Sequence, residues 1–303
     1  MPSTFKRFRH ALGGVFFDIM DSVIPHIPIP VLYTGLDILF FLAYPILSVV
    51  PTYRKTVVGN LDIAFGSSLP KREKRAVARR AARNLMNIPV ISVHYVHPKN
   101  LPKVLSDVEF VGLEHLTGAL DKGRGVIGLG AHLGNFILLN VALAQTDLPF
   151  VAVTKEPRPR PLALRYQRWK RACGLEWIDA DARAAATKSI LKALKTNRIV
   201  LLIADERKKR DGIVVPFFGR PALTAPGPAV LSLRTGSPIV PIFITERERY
   251  RHTIEVLPEI ECKPTGDTER DIHALTERAN EVIADYIGRY PDQWAWVNRR
   301  WKI

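Results

Sequence analysis

Apolar positions along this chain follow two rhythms. From about residue 107, short continuous apolar runs alternate with stretches in which apolar residues recur every three or four positions. VEFVG (108–112), GVIGLGA (125–131), PFVAVTK (149–155), LEWIDA (175–180) and RIVLLIADE (198–206) read as strands. Between them LEHLTGALDKG (113–123), NFILLNVALAQT (135–146), PLALRYQRWKRACG (161–174) and AAATKSILKALKTN (184–197) read as helices. PGPAVLSLRTG (226–236) then adds a helix, and 238–250 and 252–261 add two strands. The amphipathic stretch 267–291 closes the chain as a helix. Such alternation predicts an α/β domain with a mostly parallel sheet covered by helices on both faces.

Upstream the rhythm differs. VLYTGLDILFFLAYPILSVV (31–50) is apolar and about as long as a bilayer-spanning helix. Asp37 and Pro45 interrupt it, and an acid at mid-membrane depth costs about 2.5–3.5 kcal/mol on insertion scales. Three placements follow: an anchor at the membrane surface, a span, or a core helix. FKRFRH before it and TYRKTVVGN after it are both basic, so charge asymmetry selects no orientation. The first thirty residues carry Lys6, Arg7 and Arg9 but no compact apolar core followed by a small-residue cleavage site, so they do not read as a secretory signal. We expect residues 1–60 to form a membrane-anchoring segment and 61–303 the α/β domain. Residues 69–96 predict one helix with Val77, Ala81, Leu85 and Ile88 inward. Its other face carries Lys71, Arg72, Lys74, Arg75, Arg79, Arg80 and Arg83 against the single acid Glu73, which suits anionic lipid head groups.

Composition narrows the partners. The 303 residues hold 44 Lys and Arg against 29 Asp and Glu, a net charge of +15, so anionic partners are favoured. No nucleic-acid motif accompanies that charge, and Trp294, Trp296 and Trp301 stand near the C-terminus without one, so nucleic-acid binding is not expected. Cys173 and Cys262 have no ligand or pairing spacing. Together with scattered histidines they predict a reducing compartment, no metal site and no cofactor.

His132 is the acid–base group most exposed to suspicion. It follows the apolar strand 125–130 and precedes the helix beginning near Asn135, at a strand's carboxyl end where open α/β sheets place ligands. Gly134 lets a substrate or a backbone come close. The helix start offers N–H groups to an oxyanion. A protein-facing histidine that caps the helix is the alternative. Farther on, Asp205 and Glu206 end an apolar strand before the basic residues 207–210. VPFFGRPA (215–222) reads as an irregular loop in which Phe217, Phe218 and Gly219 border an acyl groove and Arg220 binds phosphate, or as a rigid turn with a surface arginine.

Taken together, AHLGNFILL (131–139), VVPFFGRPALTAPGPAVLSLRTGSPIVPIF (214–243) and YPDQWAWVNRRWK (290–302) resemble the late acyltransferases of lipid A biosynthesis, of lauroyl and myristoyl transferase type. The resemblance runs along nearly the whole chain, and 215–241 is its most specific part. It implies a glycerolipid-acyltransferase-like fold at the cytoplasmic face of the inner membrane. There a fatty acyl chain passes from an acyl carrier protein or acyl-CoA to a phosphorylated glycolipid or other lipid acceptor. It also implies His132 as general base, Asn135 and nearby N–H groups at the oxyanion, and Arg171 and Arg220 at phosphates.

The family's histidine is followed, after four residues, by a carboxylate; here that position is Ile137. A frequent family histidine is also replaced, by Asn298. Three readings follow from the missing acid. Another carboxylate, Asp205 or Glu206, supports His132; or the acceptor differs, for example an aminolipid; or the chain binds lipid without transferring to it.

Overall fold

Seven strands build one sheet in the order β1-β9-β8-β2-β5-β3-β4: β1 (Val108–Val111), β2 (Val126–Gly130), β3 (Phe150–Thr154), β4 (Trp177–Asp179), β5 (Ile199–Ile203), β8 (Ile239–Glu248) and β9 (Arg251–Val256). These come from a computed structural model of the protein, which describes residue 18 and residues 20–157, 160–208 and 211–302. The basic Lys6, Arg7, Arg9, Lys209 and Arg210 lie outside the described residues. Strands β8, β2, β5, β3 and β4 run parallel, while β9 is antiparallel to β8 and pairs in parallel with β1. The sheet is therefore mostly parallel, as the alternating pattern predicts.

Continuous apolar strands are what a sheet covered on both faces requires. All five residues of β2 are buried, and its side chains divide between two cores. One core packs Val126, Leu201 and Ile242 against α3 (Lys71–Val96) and α5 (Phe136–Ala144). The other packs Ile127, Leu129 and Phe243 against α7 (Arg183–Lys195), α8 (Gly227–Thr235) and α9 (Thr268–Arg289). Two further helices, α4 (Leu113–Leu120) and α6 (Arg160–Ala172), follow β1 and β3.

Two N-terminal helices, α1 (Ile29–Val49) and α2 (Pro51–Phe65), pack against α3. The expected domain boundary at residue 60 falls inside α2, where Asn60 donates to the carbonyls of Trp296 and Asn298. By length and composition α1 could cross a bilayer. One stripe of it, Leu32, Tyr33, Leu36 and Phe40, is buried, and Tyr33 meets Tyr250 edge-on at 4.9 Å. Asp37, which looked like an obstacle to membrane burial, is paired with Arg83 and, at 2.7 Å, with Arg249. The other face leaves Ile38, Leu39, Phe41, Leu42, Ile46 and Val49 each more than half exposed.

Two expectations are corrected. Residues 213–224 form a hairpin and not an irregular loop: β6 (Ile213–Phe217) pairs antiparallel with β7 (Arg220–Thr224). Phe218 and Gly219 make its two-residue turn with φ of 51° and 67°, the left-handed pair a tight hairpin requires. Pro216 and Pro221 face each other next to the closing pair Phe217–Arg220. Pairing alternates along an antiparallel ladder, so that position needs no N–H donors. The cationic face of α3 is also smaller than read, because Lys74 is buried and bonded to Asp62 and to the Gly66 carbonyl, each at 2.6 Å.

Candidate active site

The register of two central strands brings the chemistry together. β2 pairs in parallel with β5, with Gly130 opposite Ile203. Two residues beyond each partner come His132 and Asp205, so the same register sets them side by side at the sheet's carboxyl edge. His132 Nδ1 lies 2.8 Å from Asp205 Oδ1, and the His132 main-chain N–H donates to Oδ2 at 3.0 Å. The Trp294 indole N–H donates to the same Oδ2 at 2.7 Å.

Asp205 is fully buried, whereas 23% of the His132 side chain is exposed. Burial disfavours a charged Asp205, but His132, the Trp294 donor and the main-chain N–H together hold its carboxyl below the ordinary range. Burial likewise disfavours the imidazolium. The Asp205 carboxylate, helped by Glu206, outweighs it and raises the His132 pKa above the usual histidine value. With Nδ1–H directed at Asp205, Nε2 keeps its lone pair, which is the arrangement a general base needs. Glu206 Oε1 stands 3.8 Å from Nε2.

The C-terminal segment locks the loop that carries the histidine. Leu133 forms a bridge with Trp294, Gly134 N–H donates to Gln293 O, and Ala295 N–H donates to His132 O. Gly134 has φ of 54°, and a Cβ there would stand 2.1 Å from the Ile244 carbonyl oxygen. Its freedom therefore admits the β8 backbone. Asn135 caps α5: its side-chain oxygen accepts from Leu138 N–H and from the Ser92 hydroxyl, both at 3.0 Å. That oxygen is committed to the helix start, and the N–H groups of Phe136 and Ile137 fall in the same first turn, where main-chain donors have no partner within the helix.

His132 opens onto a crevice of about 370 Å³, bordered also by Glu206, Thr154 and Lys155. A mostly apolar cavity of about 340 Å³ adjoins it and contains Val93, Val96, Leu162, Trp169 and Leu175. Phe136, Ile137, Asn140, Lys155 and Tyr166 line both spaces. Ile137 thus stands in a wall common to the crevice beside His132 and the apolar cavity.

The chain matches the family model described as bacterial lipid A biosynthesis acyltransferase over residues 19–303. It belongs to that family. It is 27% identical over 220 residues to a phosphatidylinositol mannoside acyltransferase of Mycobacterium tuberculosis, covering 72% of this chain and 66% of that relative's length. It is 25% identical to the lipid A biosynthesis lauroyltransferase of Escherichia coli, across 82% of this chain and 78% of the relative. A crystal structure of the 1-acyl-sn-glycerophosphate acyltransferase of Thermotoga maritima aligns with a TM-score of 0.34 at 17% identity, covering 83% of this chain and 97% of that one.

Within this member of the acyltransferase family, the residues of the 215–222 stretch do not border the crevice. Phe217 is buried between Trp294 and Trp301, with the Arg300 guanidinium 4.5 Å from its ring. Phe218 meets Phe65 and Trp296, and Gly219 completes the hairpin turn. Both rings expected at an acyl groove engage the aromatic cluster behind Trp294, and neither lines the crevice or the adjoining apolar cavity. Arg220 is exposed on β7, and Arg171 is exposed at the end of α6 beside Trp177; neither lines the crevice or the adjoining cavity. Lys155 and Tyr166 were missed. Lys155 directly follows β3, so the rule that pointed to His132, residues just past a parallel strand's carboxyl end, also finds it. Tyr166 sits inside a helix and carries no comparable signal.

Proposed function

We propose that this chain transfers a fatty acyl group from an acyl thioester to a hydroxyl of a membrane glycolipid, with His132 as general base. The observation that carries the reading is the His132–Asp205 pair opening on a crevice that adjoins an apolar cavity. The acceptor hydroxyl gives its proton to His132 Nε2 as its oxygen bonds to the thioester carbonyl. The resulting oxyanion lies within the field of the α5 N-terminus, whose first turn includes the N–H groups of Phe136 and Ile137. Collapse breaks the carbon–sulfur bond, and His132 returns the proton to the departing thiolate. The products are an ester and a free thiol.

Asp205 takes the part that Ile137 cannot, approaching the imidazole from β5 and leaving the α5 position apolar for the acyl chain. That division supports an active centre over a lipid-binding remnant. Lys155 at the crevice wall suits a phosphate on the acceptor or donor. The mannoside acyltransferase and the lipid A lauroyltransferase are named for different acceptors, and the acceptor class common to both is a glycolipid, lipid A precursor or mannoside. The exposed apolar face of α1 supports work at the membrane surface, with the inner membrane's cytoplasmic face as the site and acyl carrier protein or acyl-CoA as donor.

The test is transfer of a labelled acyl group by the purified full chain to glycolipid acceptors in mixed micelles, with each donor supplied in turn. Wild-type protein forms labelled ester, and His132→Ala lowers the rate by about 10²–10⁴. An unchanged rate in His132→Ala removes the base assignment. Retained lipid binding without transfer to any acceptor overturns the enzymatic reading.

A further inference from the structure

A third cavity, of about 550 Å³, lies between the end of α1, α2 and the first half of α3. It shares no residue with the crevice or the apolar cavity beside it. Five cations line it, Arg54, Lys71, Lys74, Arg75 and Arg79, against one carboxylate, Asp62. Lys74 is buried and satisfied by Asp62 and Gly66, and Arg79 lies 5.7 Å from the Tyr44 ring centre. Among the described residues, Arg54, Lys71 and Arg75 have no carboxylate within 4.0 Å. Like charges gathered in a concave space repel one another and focus a positive potential there, which an anion relieves.

The cavity's setting chooses the anion. Its walls include Tyr44 and Ser48 from the last turns of α1. On the same turns Leu42, Ile46 and Val49 are 64%, 72% and 73% exposed. A molecule with its anionic end in the cavity therefore has an uncovered apolar surface beside it for its other end. Arginine forks match phosphate oxygens bidentately, and the neighbouring apolar stripe suits a phosphate that carries acyl chains.

We infer that this cavity binds the phosphate-bearing head group of a membrane phospholipid and docks α1 on the bilayer, separately from the crevice at His132. The cations are the site's affinity, and the exposed stripe of α1 is its membrane contact. The inference does not depend on acyl transfer, because its test reads binding alone.

The full chain is titrated with vesicles of phosphatidylcholine, alone and mixed with phosphatidylglycerol, and the bound fraction is read by flotation. The triple variant Arg54→Gln, Lys71→Gln, Arg75→Gln is compared with Lys188→Gln, Lys192→Gln, Lys195→Gln. The latter loses the same charge from exposed positions on α7, none of which lines the cavity. The cavity variant loses about a hundred-fold of its affinity for the anionic vesicles, at about five-fold per cation, and the α7 variant less than about three-fold. Arg75→Gln alone gives a loss of about five-fold if the triple variant does not fold. Equal losses in the two triple variants overturn the site in favour of a diffuse field. Tight binding of glycerol 1-phosphate without vesicles, abolished by the cavity variant, overturns the lipid in favour of a soluble phosphate ester.

Discussion

The crevice at His132 and the basic cavity under α1 handle charge in opposite ways. In the crevice, a fully buried carboxylate has three donors: an imidazole, an indole and a main-chain N–H. Its geometry is set by strand register and needs no ligand to be complete. In the basic cavity, three cations on two exposed helix faces have no carboxylate within 4.0 Å among the described residues, and their geometry is held only by helix packing. A buried charge must be satisfied by the protein itself, whereas an exposed cluster can wait for a partner. Preorganisation of this kind is what bond-making requires, and unmet charge is what attachment requires.

Asp205→Asn breaks the crevice side of this comparison most deeply. The amide preserves shape but removes the charge that holds the imidazole in its tautomer and stabilises imidazolium. A fall in kcat of about 10³–10⁴ is expected by analogy with the corresponding change in a serine-protease triad. The pH profile moves as well. Asp205 is what outweighs burial and raises the His132 pKa, so without it burial dominates and the pKa falls. The base must be neutral to act, so the acid limb of kcat shifts to lower pH beneath a much lower plateau. Rate–pH profiles of both proteins check this. An acid limb that stays in place shows that Asp205 does not set the charge of the reacting group.

Much of this geometry is legible in the amino-acid sequence itself. The continuous apolar runs 125–130 and 198–203 marked strands covered on both faces, and His132 and Asp205 each stood just beyond one. That β2 and β5 are neighbours, with Gly130 opposite Ile203, was not legible, because strand order depends on contacts across some seventy residues. The hairpin at 213–224 was hidden for another reason. Its two prolines and a phenylalanine at positive φ imitate an irregular loop, and the aromatic cluster that stabilises it comes from the distant C-terminus. Phe217 looked like a groove residue because its partners, Trp294 and Trp301, are about eighty positions away. Lys74 looked like one more surface cation because Asp62, its partner, lies across the turn between α2 and α3.

Two glycines sharpen the contrast between a site fixed by backbone and one that is not. At Gly134 a methyl group meets the Ile244 carbonyl at 2.1 Å in a left-handed conformation, so Gly134→Ala is expected to cost about 3 kcal/mol or more. At Gly59, in α2, a helix that also borders the basic cavity, a Cβ meets nothing within 4 Å. Gly59→Ala is expected to stabilise the chain by about 0.4–1 kcal/mol through lower unfolded-state entropy. Urea denaturation of the two variants measures both. A Gly134→Ala protein as stable as wild type means that the loop carrying His132 yields easily, and the crevice is then not the rigid partner in the comparison.

Trp294→Phe gives the smallest effect on rate and the finest test. Phenylalanine keeps most of the buried ring volume and removes one donor to Asp205 Oδ2. A buried carboxylate short of one donor costs about 1–3 kcal/mol of stability. It also concentrates negative charge on the oxygens facing His132. That strengthens the pull on the imidazolium, so the His132 pKa rises and the acid limb of kcat moves to higher pH, opposite to the shift expected for Asp205→Asn. The rate near neutrality falls about ten-fold through kcat with KM unchanged, since Trp294 borders neither the crevice nor the apolar cavity. A loss of packing alone lowers stability without moving the limb. Trp294 therefore counts as a positioning residue only if kcat, and not KM, carries the loss and the profile moves upward.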